Sequence, residues 1–263
     1  MNVQVLISTM YQSDKSLLEK MNVQTSAIVI NQCERNEIER FEFRGHEILW
    51  ISCEERGVGL SRNTALLRAT GDVLLIADDD VRYIDGYEEI VLDEFRKNKK
   101  AGFIAFNVDC LNEGRNEIVV KKNQRVRFYN SLKFGAYRFA VKKDVLFHKR
   151  IYFSLLYGGG CIYSAGEDNI FINDCLKKGI YVLASKACIG TVTHNESTWF
   201  EGYNQKYFID LGHLLYDLFT WKSGLLAFLL ILKNRKNYNG LKVKEILKWI
   251  KIGRKEEKTI RRS

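Results

Sequence analysis

The chain has 263 residues, of which 46% are hydrophobic and 28% are charged, with a formal net charge of +9, 19 glycines and no proline. These proportions predict one or two domains with a sizeable core, and they exclude a disordered chain, a collagen-like repeat and a proline-rich ligand. Because proline is absent, glycine, asparagine, aspartate and serine must shape the loops.

The first 107 residues alternate short apolar strands with helices. We predict strands at 3–8, 27–30, 48–52, 72–76 and 101–106, with helices at 13–21, 61–69 and 87–97. This alternation is typical of an α/β sheet that helices cover on both faces. The pair Gly57 and Gly59 suggests a dinucleotide-binding turn, but Arg62 stands where the third glycine is needed, which argues against a dehydrogenase.

Beyond residue 107 the pattern is less regular and more antiparallel. It predicts strands at 119–128 and 137–141, a helix at 167–178 that Gly179 ends, and a strand at 180–183.

The cysteines predict neither a metal ribbon nor a disulfide scaffold. Their spacing is wide and uneven, without a CxxC pair; they are Cys33, Cys53, Cys110, Cys161, Cys175 and Cys188. We expect small buried hydrophobes in a reducing compartment. The N-terminus leads straight into a strand, so we expect no secretory signal peptide.

The positive charge is concentrated at the C-terminus. Residues 233–263 hold twelve basic and three acidic residues, a net charge of +9. The whole chain has the same net charge. Residues 208–232 before them are apolar, but their longest uninterrupted run, 224–232, is shorter than the roughly 20 residues that span a bilayer. Residues 241–252 follow the pattern of a basic amphipathic helix.

Residues 224–263 are therefore predicted to lie on an anionic membrane surface. Two alternatives remain at this point. The last helix could pack on its own domain with a solvated basic face, or the charge could bind nucleic acid, which we do not expect because no nucleic-acid motif is present.

Three consecutive aspartates, Asp78, Asp79 and Asp80, follow the predicted strand at 72–76. Neighbouring carboxylates repel one another, and the carboxyl end of a strand is where α/β folds bind ligands. Hard oxygen ligands of this kind suit Mg²⁺ or Mn²⁺ with substrate phosphates completing the shell. The alternative is a solvated acidic turn that caps the next helix.

A second acidic pair, Glu167 and Asp168, opens a predicted helix after three glycines at 158–160. Carboxylates gain from the helix dipole there, and one of them could act as a general base. The alternative is an ordinary acidic first turn. His194 follows a strand-like run and is either a structural side chain or a metal ligand.

Taken in this order, the segments resemble the inverting nucleotide-sugar glycosyltransferases of glycosyltransferase family 2, which have the GT-A fold. The resemblance covers roughly residues 1–200. Its matching segments are residues 5–9, 59–66, 71–81, 166–168 and His194. The stretch from the Gly-x-Ser-Arg-Asn motif to the aspartate triplet is the most specific part.

The resemblance implies displacement at the anomeric carbon of a UDP-sugar or similar donor, with Mn²⁺ or Mg²⁺. The implied catalytic base is Asp168. The implied donor and nucleotide ligands are Thr9, Asn31, Arg62, Asp78 and Asp79. The implied metal ligands are Asp78, Asp80 and His194. The implied acceptor residues are Glu167, Gly159 and Trp199.

Two positions depart from the family pattern. The turn after the first strand, Ser8 to Tyr11, lacks the family's usual proline. Asn31 stands where the family usually has an aspartate beside the nucleotide base, and an amide can still donate and accept hydrogen bonds there.

We therefore expect a GT-A catalytic domain at 1–204, a Rossmann-like mixed sheet flanked by helices. Its donor half is 1–107 and its acceptor half is 108–204, and a basic helical tail follows at 205–263. By resemblance, the acceptor is a glycan or lipid-linked glycan in bacterial capsule, exopolysaccharide or lipopolysaccharide assembly, at the inner face of the cell membrane. The alternatives are a non-enzymatic membrane- or nucleic-acid-binding protein and a sugar nucleotidyltransferase.

Overall fold

The computed structural model describes residues 1–112, 119–193, 202–238 and 240–260. These residues form two compact units. The sheet unit comprises 1–112, 119–155 and 167–193, and the helical unit comprises 156–166, 202–238 and 240–260. The predicted domain boundaries at 107 and 204 stay predictions.

Within the described residues the sheet unit has one ten-stranded sheet. The strands are β1 Val3–Met10, β2 Ser26–Gln32, β3 Glu37–Phe43, β4 His46–Cys53, β5 Val73–Asp78, β6 Val81–Tyr83, β7 Phe103–Cys110, β8 Gln124–Arg125, β9 Phe139–Lys142 and β10 Val182–Val192. The helices of this unit are α1 Leu17–Lys20, α2 Val58–Leu66, α3 Tyr87–Lys97, α4 Lys143–Lys149 and α5 Glu167–Lys177.

The strand order is β3-β4-β2-β1-β5-β9-β7-β10-β6, and β8 pairs with β10. Strands β4, β2, β1 and β5 run parallel, as do β7 and β10. Strand β9 is antiparallel to both β5 and β7, so it joins the two parallel groups into a mixed sheet. The predicted α/β class is therefore confirmed.

Each face of the sheet packs against its own helices. In β1, Val5 and Ile7 belong to one core cluster and Leu6 to the other, because successive side chains of a strand point to opposite faces. The first cluster includes Tyr87 of α3, and the second includes Phe171 of α5. Burial on both faces explains why the parallel strands are continuous apolar runs.

One predicted element was wrong, and one element was missed. Only β8 forms within the strand predicted at 119–128, because lysines at 121 and 122 interrupt its apolar pattern. Strand β3 was not predicted, because its alternating exposed positions carry charged side chains, as edge strands often do. Arg44 and Gly45 both adopt positive φ angles, of 52° and 78°, and form the tight turn from β3 to β4.

The helical unit contains three helices, α6 Gln205–Phe219, α7 Ser223–Asn234 and α8 Val243–Ile260. Its core includes Phe208, Ala227, Ile231, Ile246 and Ile250. The apolar face of α8 packs on this core, while its lysines at 244, 248 and 251 are exposed. This arrangement matches the alternative in which the last helix packs on its own domain.

Two glycines bring α6 and α8 into close contact. A Cβ atom on Gly212 of α6 would lie 2.3 Å from the Ile250 carbonyl oxygen. A Cβ atom on Gly253 of α8 would lie 2.0 Å from the Ile209 carbonyl oxygen. Both distances are far below van der Waals contact, so a larger residue at either position would separate the helices.

By length and composition, one helical stretch of the described residues, Gln205–Asn237, could cross a membrane. In the structure the stretch is divided, because Thr220 has φ 47° and ψ −117° and ends α6. Helices α6 and α7 are consequently two short elements, and both contribute to the core around Phe208.

Candidate active site

The parallel strands β1, β2 and β5 end at the same edge of the sheet. Thr9 pairs with Asn31 of β2, and Ser8 pairs with Asp78 of β5. Because ligands bind beyond the carboxyl ends of parallel strands, this edge is where a nucleotide would be expected. The structure brings the predicted residues Thr9, Asn31 and Asp78 together here.

The three aspartates of the triplet have different surroundings. The Thr9 hydroxyl donates to Asp79 Oδ2 at 2.5 Å. Burial raises the pKa of Asp79, the Thr9 hydrogen bond partly opposes this, and the Asp78 charge adds to it. Asp78 Oδ1 accepts a hydrogen bond from Arg62 at 2.7 Å. The Asp80 carbonyl accepts from Thr193 N at 3.2 Å, which ties the triplet to the end of β10.

The turn after β1 is made without proline. Tyr11 adopts a φ of 54°, which only a minority of residues other than glycine do. The amide side chain of Asn31 holds the next residue, accepting from Gln12 N and donating to Gln12 O, both at 3.0 Å. Gln12 Nε2 in turn donates to Thr9 Oγ1 at 2.9 Å. Both departures from the family pattern thus meet in one hydrogen-bonded turn.

The Gly-x-Ser-Arg-Asn motif lies on α2 and holds the segment at 153–154. A Cβ atom on Gly59 would lie 2.0 Å from the Ser154 carbonyl oxygen, so only glycine fits. Asn63 Oδ1 accepts from Phe153 N at 2.8 Å, and Asn63 Nδ2 donates to Phe153 O at 2.9 Å. These contacts fix α2 against a segment about 90 residues further along the chain.

Arg62 is the centre of a buried ion-pair network. Its guanidinium donates to Asp78 at 2.7 Å and to Glu167 Oε1 at 2.8 Å, and the side chain is only 3% exposed. Burial alone would lower the pKa of Arg62, but the charges of Asp78 and Glu167 raise it above its ordinary value. Arg62 therefore stays charged and connects the end of β5 to the start of α5.

Asp168, in the first turn of α5, is partly exposed. Its Oδ1 accepts hydrogen bonds from Asn169 N at 2.6 Å and from Asn169 Nδ2 at 3.0 Å. Burial and, next, the charge of Glu167 raise the pKa of Asp168 to about 7, against a smaller opposing effect of Arg62. A carboxylate with a pKa near the working pH is suited to general-base catalysis.

The glycines at 158–160 belong to the helical unit, where they form a small hairpin. Gly158 N donates to Tyr163 O and Tyr163 N to Leu156 O, both at 2.9 Å. Asp210 of α6 holds the hairpin, because its Oδ2 accepts from Ser164 N at 3.1 Å and from Ser164 Oγ at 3.0 Å. Gly159, a predicted acceptor residue, lies at the tip of this hairpin.

The predicted metal ligands are only partly described. Within the described ranges no group of three or more histidine, cysteine, aspartate or glutamate side chains could hold a metal ion. His194 and Trp199 lie outside those ranges. Asp78 and Asp80 supply hard oxygen atoms, and one or two carboxylates with substrate phosphates are a usual magnesium site. The donor set thus fits a divalent cation that a bound diphosphate would help to hold.

All six cysteines are free thiols. Burial raises the pKa of the Cys175 thiol well above its ordinary value, and Cys33 is also buried. The other four are half-buried.

Sequence reasoning missed three residues that hold these segments in place, two in the sheet unit and one in the helical unit. They are Gln12, which completes the turn after β1, Asn63, which binds the backbone of Phe153, and Asp210, which holds the glycine hairpin. Only Asn63 lay inside a recognised motif, and its backbone partner is distant in sequence. Asp210 stood in an apolar stretch, and a buried carboxylate there is a signal that could have been used.

Comparison with known proteins supports the predicted family. The family model described as glycosyl transferase family 2 matches residues 15–156, which is more than half of the chain. The match includes the Gly-x-Ser-Arg-Asn motif and the aspartate triplet. No curated protein matches the chain by sequence.

Solved structures of S. aureus TarS 1–349 are similar in fold. The structure without a named ligand has a TM-score of 0.63 at 15% identity and covers 96% of this chain and 79% of TarS 1–349. The complex with UDP-GlcNAc has a TM-score of 0.61 at 16% identity with the same coverage. The complex with UDP has a TM-score of 0.60 at 16% identity, and the match covers 95% of this chain and 78% of TarS 1–349. The GT-A fold and the enzyme class are confirmed: this chain belongs to glycosyl transferase family 2 and is a glycosyltransferase.

Proposed function

We propose that this enzyme transfers a sugar, with inversion, from a UDP-sugar donor to a hydroxyl of a glycan or lipid-linked glycan acceptor. The observation that carries the proposal is the buried network at the carboxyl edge of the sheet. There Arg62 pairs with Asp78 of the triplet and with Glu167. Glu167 directly precedes Asp168, and the pKa of Asp168 is about 7. A nucleotide-sugar donor is supported by the fold likeness to TarS, which has been solved with UDP-GlcNAc and with UDP.

In this proposal Asp168 accepts the proton of the acceptor hydroxyl. The hydroxyl oxygen forms a bond to the anomeric carbon while the bond from that carbon to the diphosphate oxygen breaks, and the nucleoside diphosphate leaves. A single displacement of this kind inverts the anomeric centre. General-base assistance contributes about 10²–10⁴-fold to the rate.

The residues at the carboxyl edge of the sheet would bind the donor. We assign Thr9 and Asn31 to the nucleotide pocket and Asp79 to the donor sugar or ribose. Arg62 would line the same pocket, and its pairing with Asp78 and Glu167 positions both carboxylates.

Asp78, Asp80 and His194 would hold Mg²⁺ or Mn²⁺. When bound, the ion would neutralise charge that develops on the leaving diphosphate. The hydrogen bond from Thr193 N to the Asp80 carbonyl brings the end of β10 to the triplet. His194 is included because of the family resemblance alone.

The acceptor side is assigned to Glu167, Gly159 and Trp199. By its resemblance, the enzyme would act in bacterial surface polysaccharide assembly, at the inner face of the cell membrane. A part of residues 224–263 would contact the anionic lipid there. Family membership favours glycosyl transfer over a nucleotidyltransferase or a non-enzymatic binding protein.

The proposal is tested by incubating the purified protein with a panel of nucleotide sugars. We expect nucleoside diphosphate release from one UDP-sugar with Mg²⁺ or Mn²⁺, and loss of that release with EDTA. Turnover that EDTA does not affect would contradict the metal assignment, and turnover that Asp168→Asn retains would contradict the base. If pyrophosphate is released instead, the enzyme is a nucleotidyltransferase.

A further inference from the structure

Helix α7 has an outward face that is entirely apolar. Leu225, Phe228, Leu229 and Leu232 recur at i, i+3, i+4 and i+7, and they are 67%, 43%, 52% and 41% exposed. The opposite face of the helix is buried through residues that include Ala227 and Ile231. Side chains at this spacing lie on one side of a helix, so the four form a single stripe.

Trp221 extends this apolar stripe at its N-terminal end and is 78% exposed. Tryptophan side chains are favoured at the boundary between membrane and water. A contiguous exposed apolar surface of this kind marks an interaction site in most soluble proteins.

The charges beside the stripe have one sign. Residues 221–238 contain four exposed basic residues and no acidic residue. They are Lys222, Lys233, Arg235 and Lys236. A second copy of the chain would bring like charges together across such a surface, whereas anionic lipid headgroups would neutralise them.

We propose that the outward face of α7 inserts into an anionic lipid bilayer, and that α8 does not. The central apolar side chains of α8 pack inside the helical unit: Ile246 and Ile250 are buried, and the Trp249 ring stacks on Phe208 at a centroid distance of 6.0 Å. The exposed positions of α8 between Lys244 and Lys258 are consequently all charged, and they include Glu245 and Glu256, while α7 offers apolar side chains beside basic ones only.

The assignment narrows the predicted membrane-associating segment, residues 224–263, to α7. It rests on the proposed function only for the identity of the membrane, because a lipid-linked acceptor would lie in the same bilayer. The two helices differ in how salt affects them. Insertion of an apolar face persists at high ionic strength, whereas attraction through lysines alone is screened.

The experiment is co-sedimentation of the full chain with phosphatidylcholine vesicles containing 30% phosphatidylglycerol. The double variant Leu225→Gln, Leu229→Gln should bind about 100-fold more weakly, because two leucine side chains no longer leave water. Lys222→Gln and Lys233→Gln should each weaken binding about fivefold, and only at low salt. The matched control is Ile38→Gln, since Ile38 is 66% exposed on β3 and should leave binding unchanged.

A second readout follows Trp221 directly. The difference in emission between the chain and its Trp221→Phe variant should shift to shorter wavelength when vesicles are added. An unchanged difference spectrum would overturn the proposal. So would full vesicle binding by the double variant, or loss of binding on reversing the charges of Lys248 and Lys251 alone.

Self-association that the double variant abolishes, without any vesicle binding, would also overturn it in favour of a second copy as occupant. Nucleoside diphosphate release from the donor, measured without vesicles, separates the two proposals. The rate of release should be equal in the wild-type chain and in the double variant. A wild-type chain that releases no nucleoside diphosphate but still binds vesicles would contradict the proposed function alone.

Discussion

If Asp168 is the catalytic base, as proposed, its pKa sets the pH dependence of the transfer reaction. Burial and the adjacent Glu167 charge raise its pKa from 3.8 to about 7. The base works only when ionised, and the ionised fraction is about one-tenth at pH 6 and about nine-tenths at pH 8. We therefore expect kcat/KM to rise about tenfold between pH 6 and pH 8, with a midpoint near pH 7.

Removing the neighbouring charge should move that midpoint. Glu167→Gln eliminates the repulsion that disfavours ionised Asp168, and it leaves the Arg62 charge less neutralised. Both effects stabilise the carboxylate, so the midpoint should move to lower pH. The assay is initial-rate release of nucleoside diphosphate in buffers of constant ionic strength, with Glu34→Gln, an exposed glutamate, as the matched control.

Two results would contradict this role of Asp168. A profile that is flat from pH 6 to 8 would mean that Asp168 titrates like an ordinary aspartate. A midpoint that moves to higher pH in Glu167→Gln would contradict the role of Glu167 in raising the pKa. Asp168→Asn should lose about 10²–10⁴-fold in kcat while remaining folded by circular dichroism.

Three further changes test the supporting contacts. Gly59→Ala should lower stability by about 1–3 kcal/mol, because its Cβ would overlap the Ser154 carbonyl; an unchanged melting temperature would contradict this close approach. Thr9→Val removes the hydroxyl that donates to Asp79, so the pKa of Asp79, measured by carbon-13 NMR titration, should rise further. A fall in that pKa would contradict the hydrogen bond from Thr9. Asp210→Ala should raise the acceptor KM more than it changes donor hydrolysis, and the reverse would exclude a role in shaping the glycine hairpin.

Much of the sheet could be predicted from the sequence because its strands are buried on both faces. The predicted helix at 87–97 matches α3 Tyr87–Lys97, and the strands at 3–8 and 48–52 are the cores of β1 and β4. Edge strand β3 could not be predicted in the same way. Its exposed positions include the charged residues Glu37, Arg40 and Glu42, and its pairing depends on the positive φ angles of Arg44 and Gly45.

The candidate site was predictable as a set of residues but not as a network. The motif around Arg62 and the aspartate triplet could be recognised locally. The pairing of Arg62 with Glu167 joins residues 105 positions apart, and no local pattern indicates it. The use of Asn31 to hold Gln12 likewise depends on the register between β1 and β2.

The C-terminal segment shows that a charge pattern alone does not establish what a helix packs against. Residues 241–252 have the amphipathic pattern expected of a membrane-surface helix, and α8 forms there. The same pattern also suits a helix that packs on a neighbouring one, and Gly212 and Gly253 provide the close approach to α6. In the structure the apolar face of α8 packs on its own unit, which the amphipathic pattern alone could not establish.

The central claim, that Asp168 drives a single displacement at the anomeric carbon, is tested most directly by the stereochemistry of the product. Proton NMR of the reaction with the UDP-sugar that is turned over should show the opposite anomeric configuration in the product from that in the donor, and no product with Asp168→Asn. A product with the donor's configuration would contradict the account.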